Sequence, residues 1–152
     1  VWVSTWFDPP KESDAAQSLI NQGADVLLQN TDSTAVLQAA EKNGKFAFGW
    51  DSDMSAVAPK AHLASNVVYW GPYYIKTIKA VMDGTWKGGE RTIWGKPEGA
   101  NDVIKFNDAI PEAVRKKAEE ALAGLKAGTG RAGPNNSGPS TALVQICNTH
   151  LP

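Results

Sequence analysis

Residues 25–51 read DVLLQNTDSTAVLQAAEKNGKFAFGWD and predict a strand, a helix and a second strand in succession. The first strand spans Asp25 to Leu28. Thr31-Asp32-Ser33 supplies side chains that suit a helix start, and Gly44 marks the end of that helix. The second strand follows over Phe46–Trp50. The buried stripe of the helix comprises Val36, Leu37 and Ala40.

The residues before this unit show the same alternation. Val1 to Trp6 is β-branched and aromatic, which predicts another strand. Asp8-Pro9-Pro10 then begins a helix, because Asp suits the N-cap and proline is tolerated in the first turn. Gly23 ends it. Apolar residues recur at helical spacing between these ends: Ala15, Ala16, Leu19 and Ile20.

The residues after this unit predict one further βα pair and a more irregular region. Leu63–Val68 is a short strand, and a helix covers Pro72–Met82. Arg91–Trp94 and Asp102–Phe106 are predicted as two short strands, and Pro111 begins a last helix. The apolar faces of the two helices comprise Ile75, Ile78, Val81 and Met82, then Val114, Ala118, Ala121, Leu122 and Leu125. We therefore expect an α/β fold with a mainly parallel sheet flanked by helices.

The composition excludes several classes of function. Fifteen Lys and Arg against sixteen Asp and Glu give a formal charge of −1, so a nucleic-acid partner is not expected. A single cysteine, Cys147, excludes an internal disulfide framework. With only His62 and His150 besides, no metal site and no cofactor is predicted. No apolar run approaches the roughly 20 residues that cross a bilayer.

The two ends of the chain depart from the pattern between them. Val1-Trp2-Val3 begins like the interior of a strand and lacks the features of a signal peptide, so we expect a fragment. Residues 128–152 hold one charged residue, Arg131, and residues 130–139 are rich in Gly and Pro. We expect residues 1–127 to form part of one α/β domain, and 128–152 to be a low-complexity tail that is disordered or non-native.

The segments that follow the predicted strands carry aromatic and acidic side chains. In open α/β sheets, ligands bind beyond the carboxyl ends of the strands. Aromatic faces stack on flat rings, and carboxylates accept hydroxyl or N–H donors, so a nucleobase or a sugar ring is the favoured ligand. The six Trp residues of the chain agree with this. The candidate ligand-binding residues are Trp6, Phe7, Asn30, Thr31, Asp32, Trp50, Asp51, Tyr69 and Trp70.

Several of these residues have alternative interpretations. Trp6 suits a core position at a strand end as well as a ligand contact, and both Asp8 and Asp32 suit helix caps. Asp51 opens no obvious helix and so favours a ligand contact. The pair Asp51-Ser52-Asp53 is also typical of Mg²⁺ sites in phosphoryl- or glycosyl-transfer enzymes. A magnesium-dependent nucleotide- or sugar-processing enzyme that uses Asp51 and Asp53 is therefore the alternative.

An ordered series of motifs resembles one protein family. The motifs are Trp6-Phe7-Asp8-Pro9, Gln22-Gly23-Ala24-Asp25-Val26, Thr31-Asp32-Ser33, Phe48-Gly49-Trp50-Asp51-Ser52-Asp53-Met54, Trp70-Gly71-Pro72-Tyr73-Tyr74 and Asp83-Gly84-Thr85-Trp86. From Val1 to about Gly128 the chain is similar to the basic membrane protein (BMP) family. That family comprises substrate-binding lipoproteins of ABC transporters for purine nucleosides and bases. The resemblance implies the second lobe of a type I periplasmic binding protein, which closes on its ligand about a hinge.

The resemblance also implies roles for individual residues. Trp6 stands where the family has an aromatic that stacks on the purine, and Asp51 matches the carboxylate that takes the ribose hydroxyls. Asn30 stands where close relatives often carry His. Tyr69-Trp70 replaces a region in which nucleoside-binding members supply Lys, which favours a free base such as adenine.

The protein implied by the resemblance is a non-catalytic component of an importer. Its partners are a purine base or nucleoside and an ABC transporter permease. It is periplasmic, or lipid-anchored to the outer face of the cytoplasmic membrane. A ligand sensor built on the same lobe is a further alternative.

The strand order usual for this lobe has a consequence for the fragment. The lobe's first strand, absent here, lies between those predicted at Val1–Trp6 and Asp25–Leu28. We therefore expect these two strands to have unpaired edges or to pair with each other in a rearranged sheet, with marginal stability or rescue by self-association.

Overall fold

The computed structural model describes residues 1–89 and 91–129. Within them lie eight helices and strands: α1 (Pro9–Asn21), β1 (Val26–Leu28), α2 (Ala35–Lys42), β2 (Phe46–Asp51), β3 (His62–Val68), α3 (Gly71–Met82), β4 (Asn101–Ile104) and α4 (Glu112–Lys126). The tail expected over residues 128–152 lies outside the described residues from position 130 onward. None of the helices in the described ranges is long and apolar enough to cross a membrane.

The described residues divide into two compact units. The first unit comprises residues 1–69 and 101–116, and it contains the sheet together with α1 and α2. The second unit comprises residues 70–100 and the described residues from 117 onward, and it contains α3.

The sheet has the order β1-β2-β3-β4. β1, β2 and β3 run parallel to one another, whereas β4 is antiparallel to β3. Leu28 at the end of β1 pairs with Phe48, three residues before the end of β2, and Asp51 at the end of β2 pairs with Val67 near the end of β3. The predicted α/β class is confirmed, and the sheet is mixed.

The core of the first unit lies where α1 and α2 meet the sheet. The predicted stripe of α2 is confirmed, since Leu37 and Ala40 are fully buried and Val36 is nearly so. Leu27 of β1 and Ala47 of β2 belong to the same apolar cluster. Removal of this apolar surface from water is the main force that holds the helix pair on the sheet.

The two helices begin in different ways. Asp8 is the N-cap of α1 as predicted, because its Oδ1 accepts a hydrogen bond from the Lys11 amide at 3.2 Å. At α2, the hydroxyl of Ser33 accepts the Ala35 amide at 3.2 Å. The prediction that Asp32 caps α2 is therefore wrong. Ser33 is buried against the helix start, whereas Asp32 is exposed.

The strand predicted at Val1–Trp6 is wrong, because residues 1–6 form bends and irregular backbone. Ser4 has φ of 55°, in the left-handed region, which breaks an extended chain at that point. β-Branched and aromatic composition favours a strand only where a neighbouring strand supplies the ladder. Within the described sheet, β1 pairs with β2 alone, so the edge of β1 expected to be unpaired is unpaired.

The strand predicted at Arg91–Trp94 is also wrong, since residues 91–94 are irregular. In its own unit, Trp94 meets Tyr73 edge-to-face with ring centroids 5.5 Å apart, and Lys76 Nζ lies 5.1 Å from the Trp94 ring. Aromatic and cation–π contacts therefore replace a ladder there. The strand predicted at Asp102–Phe106 is present as β4, and it ends before Lys105, whose φ is 57°.

The two helices predicted after β3 are both present. α3 carries the predicted apolar face, yet Ile75, Ile78, Val81 and Met82 are all exposed, and the helix has no buried residue. α4 begins after Pro111 as predicted and likewise has no buried residue. Periodicity therefore predicted the helices correctly, but it did not predict that the apolar face of α3 is exposed.

Candidate functional site

The carboxyl ends of β1, β2 and β3 meet at one edge of the sheet, because the three strands are parallel and adjacent. We call this the carboxyl edge; it comprises residues 29–33, 50–53 and 69. Asn30 follows β1, Asp51 ends β2 and Tyr69 follows β3. Neighbouring strands lie about 4.8 Å apart, so these three positions occupy one short stretch of the edge.

Trp6 is held at this edge through its backbone. The Trp6 carbonyl oxygen accepts a hydrogen bond from the Asp32 amide at 2.9 Å. The side chains of Trp6 and Phe7 are 68% and 64% exposed, so the core position considered for Trp6 is wrong. Two large apolar side chains are thus open to solvent beside the loop that carries Asn30 and Thr31, an arrangement typical of ligand-stacking surfaces.

A buried carboxylate connects the start of α1 to the loop after β1. Glu12 accepts the Asp8 amide at 2.9 Å on Oε1, and it accepts the hydroxyls of Thr31 and Ser33 at 2.7 and 2.6 Å on Oε2. Burial raises the pKa of Glu12, but the hydrogen bonds from Ser33, Asp8 and Thr31 outweigh it and hold that pKa below its ordinary 4.5. Glu12 is therefore a carboxylate at neutral pH.

The loop between β1 and α2 is shaped from inside by Gln29. Its side-chain nitrogen donates to the carbonyl oxygens of Thr31 and Ser33, at 3.1 and 2.9 Å. These bonds turn the backbone around Asn30, whose side chain is exposed at the carboxyl edge. The hydroxyl of Thr31, by contrast, donates its hydrogen bond to Glu12.

Asp51 ends β2 in a strained conformation. Its φ is 65°, in the left-handed region that Asp and Asn tolerate better than other side chains but at a cost. The Ser52 amide bonds the Trp50 carbonyl at 2.8 Å, which tightens the turn around Asp51. The Asp51 carboxylate is exposed, beside the half-buried Trp50. Strain of this kind is frequent where a side chain must face a ligand.

Asp53 caps the turn that follows it. Its Oδ1 accepts the Ser55 amide at 3.0 Å. Hydrogen bonding from the Ser55 side chain, and then from this amide, holds the pKa of Asp53 below its ordinary 3.8. The turn cap considered for Asp53 is thus confirmed. Across residues 1–89 and 91–129, no group of three or more His, Cys, Asp or Glu side chains is placed to hold a metal ion.

His62 and Ser65 lie buried beneath the Asp51–Met54 turn. His62 Nε2 is 2.8 Å from Ser65 Oγ, and that oxygen accepts the Met54 amide at 3.0 Å. Burial lowers the pKa of His62, against a smaller raising effect of the Asp53 charge. His62 is therefore a neutral structural residue, one of the two roles considered for it.

Tyr69 and Trp70 fall in different units. Tyr69 belongs to the first unit and is 40% exposed at the carboxyl edge. Trp70 belongs to the second unit, where its ring stacks on Tyr74 with centroids 6.0 Å apart. Eight of the nine candidate residues thus belong to the first unit, and Trp70 belongs to the second.

Sequence reasoning missed Glu12 and Gln29. A signal existed for Glu12, because it precedes Ala15 and Ala16 by three and four residues and so continues the apolar stripe of α1. A charged residue on a buried stripe indicates a partner that satisfies it. Gln29 offered no comparable signal, since a glutamine after a strand is ordinary at a surface.

The chain was compared with protein families and with curated proteins. Residues 1–126 match the family described as Bmp, ABC transporter substrate-binding protein PnrA-like. A purine-binding protein from Brucella abortus is 49% identical over 128 residues, which cover 84% of this chain and 36% of that protein. A Haloferax volcanii protein named as an ABC transporter glucose-binding protein is 34% identical over 97 residues, covering 64% of this chain and 24% of the relative. The chain thus spans about a third of the first relative's length, and less of the second.

Solved structures share the fold. A transcriptional activator of the comK gene from Bacillus halodurans gives a TM-score of 0.73 at 23% identity, over 82% of this chain and 44% of that one. An ABC transporter solute-binding protein from Conexibacter woesei gives 0.63 at 19% identity, over 86% and 44%. At these identities the likeness shows the fold alone.

Proposed function

We propose that this chain, which belongs to the Bmp family of PnrA-like ABC transporter substrate-binding proteins, forms one side of a purine-binding site at its carboxyl edge. The observation that carries the proposal is the parallel register of β1, β2 and β3, which brings Asn30, Asp51 and Tyr69 to adjacent strand ends. The bond from Asp32 to Trp6 adds an exposed indole to the same edge. The purine-binding relative at 49% identity supports the choice of ligand class.

The chemistry of these side chains matches the two faces of a purine. The exposed Trp6 ring offers a stacking surface, which every base can use. The Asn30 amide and the Asp51 carboxylate offer donors and acceptors for the ring edge. Because Asp51 carries a full charge, its bonds to N–H or hydroxyl groups are charge-assisted and stronger than neutral ones.

A free base such as adenine is the ligand we propose in preference to a nucleoside. Tyr69 supplies a ring and a hydroxyl at the end of β3, where nucleoside-binding members of the family supply a lysine. A ribose would present two further hydroxyls at this edge, where the end of β3 supplies Tyr69 in place of that lysine. A base needs one acceptor and a stacking partner, which Asp51 and Trp6 provide.

The family match supports a proposal for the role of the whole protein. We propose a non-catalytic solute-binding component of an ABC importer that delivers its ligand to a permease. It acts outside the cytoplasm, periplasmic or lipid-anchored. Closure of two lobes on the purine would add contacts that favour the closed state, and this difference in affinity would signal occupancy to the transporter.

A sugar is the second candidate ligand, because the Haloferax volcanii relative is named for glucose. Aromatic stacking and a carboxylate serve a pyranose as well as a purine. The two candidates differ in the bonds they require, since a sugar presents hydroxyls on all sides and a purine presents a flat apolar face. Direct comparison of adenine and glucose as ligands therefore separates the two candidates.

The test is isothermal titration calorimetry of the full-length protein with adenine, adenosine, guanosine, ribose and glucose, without added metal. We expect adenine to bind most tightly. Trp6→Ala should weaken binding by about ten- to a hundredfold, since stacking contributes about 1–3 kcal/mol per base. Glucose binding without adenine binding would overturn the purine assignment. Purine turnover that requires magnesium and is lost in Asp51→Asn would favour the enzyme alternative.

A matched pair of variants separates the role of the Asp51 side chain from backbone strain. Asp51 and Lys105 both have φ near 60°, so glycine relieves similar strain at either position. We expect Asp51→Gly and Lys105→Gly to change the free energy of unfolding by no more than about 1 kcal/mol each. Only Asp51→Gly should abolish ligand binding. Equal affinity of the two variants would exclude Asp51 from the site.

A further inference from the structure

We infer that Glu12 is a positioning residue that locks two loops together and so presets the proposed ligand site. The loops are the Trp6 loop, residues 4–8, and the Asn30 loop, residues 29–34. The inference rests on the proposed function and adds to it a residue that does not touch ligand. What points to this role is the set of partners that the buried carboxylate holds.

The partners of Glu12 come from both loops. The Asp8 amide, at the end of the Trp6 loop, donates to Oε1 at 2.9 Å. Thr31 and Ser33, in the Asn30 loop, donate their hydroxyls to Oε2 at 2.7 and 2.6 Å. Each carboxylate oxygen thus serves one loop. Because the side chain is only 1% exposed, water does not compete for these bonds.

Two further bonds extend the lock to the residues that we place at the ligand. The Asp32 amide donates to the Trp6 carbonyl at 2.9 Å, so the two loops are also joined directly. Ser33, besides donating to Glu12, accepts the Ala35 amide at 3.2 Å and ties the Asn30 loop to the start of α2. Trp6 lies two residues before Asp8, and Asn30 lies one residue before Thr31. Neither can shift far while Glu12 holds its three donors.

A buried carboxylate at position 12 costs more desolvation free energy than an apolar side chain would. Position 12 continues the buried stripe of α1, and an apolar residue there would avoid the cost of burying a charge. An apolar residue would, however, leave both hydroxyls and the Asp8 amide without their acceptor. The charged group therefore contributes orientation of the loops. Orientation set before binding raises affinity, because the ligand does not then have to order the loops.

The test compares Glu12→Gln with Glu41→Gln in the full-length protein. Glutamine keeps the size of the side chain, but it has one acceptor oxygen and cannot accept from both loops. We expect Glu12→Gln to weaken adenine binding by about tenfold. Hydrogen exchange should show faster exchange of the Asp8 and Asp32 amides, with the Ala47 and Leu63 amides unchanged.

Glu41→Gln is the matched control. Glu41 also lies on a helix, and its Oε1 accepts one backbone amide, that of Lys60, at 2.9 Å. Lys60 precedes β3, so this bond lies at the opposite edge of the sheet from the proposed site. We expect the control to keep the wild-type affinity and the wild-type exchange of Asp8 and Asp32.

Ser33→Ala is the milder companion, in case Glu12→Gln folds poorly. It removes one bond to Oε2 and the acceptor of the Ala35 amide but leaves the charge in place, so we expect about a threefold loss of affinity. In the double variant, Ser33→Ala should add little to Glu12→Gln, since both remove one shared interaction.

Three outcomes would overturn the inference. One is a Glu12→Gln protein that binds adenine within twofold of the wild type. Another is an equal loss of affinity in Glu41→Gln, which would show a general effect on stability. The last is uniform acceleration of exchange across the sheet. If the wild-type protein binds no purine, the proposed function fails, and the exchange of Asp8 and Asp32 alone decides whether Glu12 locks the loops.

Discussion

The helices α2 and α3 have similar sequence patterns and opposite surroundings. Both carry apolar residues at helical spacing, and both were predicted from that spacing. In α2, Leu37 and Ala40 are fully buried against the sheet. In α3, Ile75 and Ile78 are each 58% exposed, and the helix has no buried residue. Hydrophobic periodicity thus identifies a helix and its apolar face, but it does not identify what covers that face.

The difference arises from the chain on either side of each helix. α2 connects two adjacent parallel strands, so the crossover itself places its apolar stripe on the sheet. α3 follows the last parallel strand, and in its own unit the contacts of the segment are made by aromatic rings such as Tyr73 and Trp94. Trp94 packs edge-to-face on Tyr73, which belongs to α3, and the Ile75–Met82 face is exposed.

The largest expected effect comes from truncating the buried helix. Leu37→Ala should lower the free energy of unfolding of the 152-residue chain by about 3 kcal/mol, because it removes buried methyl groups and leaves a cavity. Ile78→Ala is the matched change on α3, and it should cost less than about 0.5 kcal/mol. Urea unfolding followed by circular dichroism measures both.

Equal losses in the two variants would contradict the comparison. They would mean that Ile78 is covered in solution by something that the described residues do not include. Ile78→Ala should also be measured in the full-length protein. A larger loss of unfolding free energy there than in the 152-residue chain would show that the rest of the protein covers Ile78.

Two glycines give a second, smaller contrast between the same regions. At Gly49 in β2, an added Cβ would overlap Ser65 Oγ and press on Met54 Cβ. Ser65 Oγ cannot easily move away, since it is held by the Met54 amide and by His62. Gly49→Ala should therefore cost about 2 kcal/mol, as overpacking of a core usually does.

Gly71, the first residue of α3, is the matched control. An added Cβ there meets nothing within 4 Å, and alanine is the better helix former. Gly71→Ala should leave the free energy of unfolding unchanged or raise it slightly. A destabilising Gly71→Ala, measured in the same urea titration, would show that the start of α3 is more crowded than its exposed surface indicates.

The elements that could be predicted from the sequence are those whose signals are local. The strand–helix–strand unit over residues 25–51 has its apolar runs, its helix stripe and its terminal glycine within one short segment, and it was predicted correctly. Val1–Trp6 was predicted as a strand on composition alone. A strand depends on a neighbour that composition does not show, and Ser4 adopts φ of 55° instead.

In the candidate site, too, the residues with local sequence signals were predicted and those that depend on distant partners were not. The rule that ligands meet the carboxyl ends of parallel strands led to Asn30 and Asp51 before the register was known. Glu12 was missed, because its partners Thr31 and Ser33 are distant along the chain and become neighbours only in the fold. The left-handed backbone of Asp51 was likewise invisible, since Asp gives no sign of its φ in a sequence.

The smallest predicted effect is a dependence of the free energy of unfolding on pH. It arises from His62 in the first unit, whereas residues 70–100 of the second unit contain no histidine. Burial lowers the pKa of His62, so the folded chain resists protonation there, whereas the unfolded chain takes up the proton near the ordinary pKa of 6.5. Below pH 6.5 the unfolded state then binds more protons than the folded state. The free energy of unfolding therefore decreases as the pH is lowered, by up to about 1.4 kcal/mol per pH unit, until the pH passes the pKa of His62 in the folded state. Urea midpoints measured from pH 8 to pH 5 should show this decline, and His62→Gln should flatten it.

Two controls assign the effect to the buried histidine. Asp53→Asn removes the charge that raises the pKa of His62, so the decline should extend to lower pH in that variant. Residues 70–100 contain no histidine, so a probe confined to them should report no titration of its own over this range. An unchanged pH dependence in His62→Gln would place the titrating group elsewhere and leave His62 without the neutral role that its contact with Ser65 implies. A decline that His62→Gln removes would instead show that the packing beneath the Asp51 turn, and with it the conformation of that turn, depends on an uncharged imidazole.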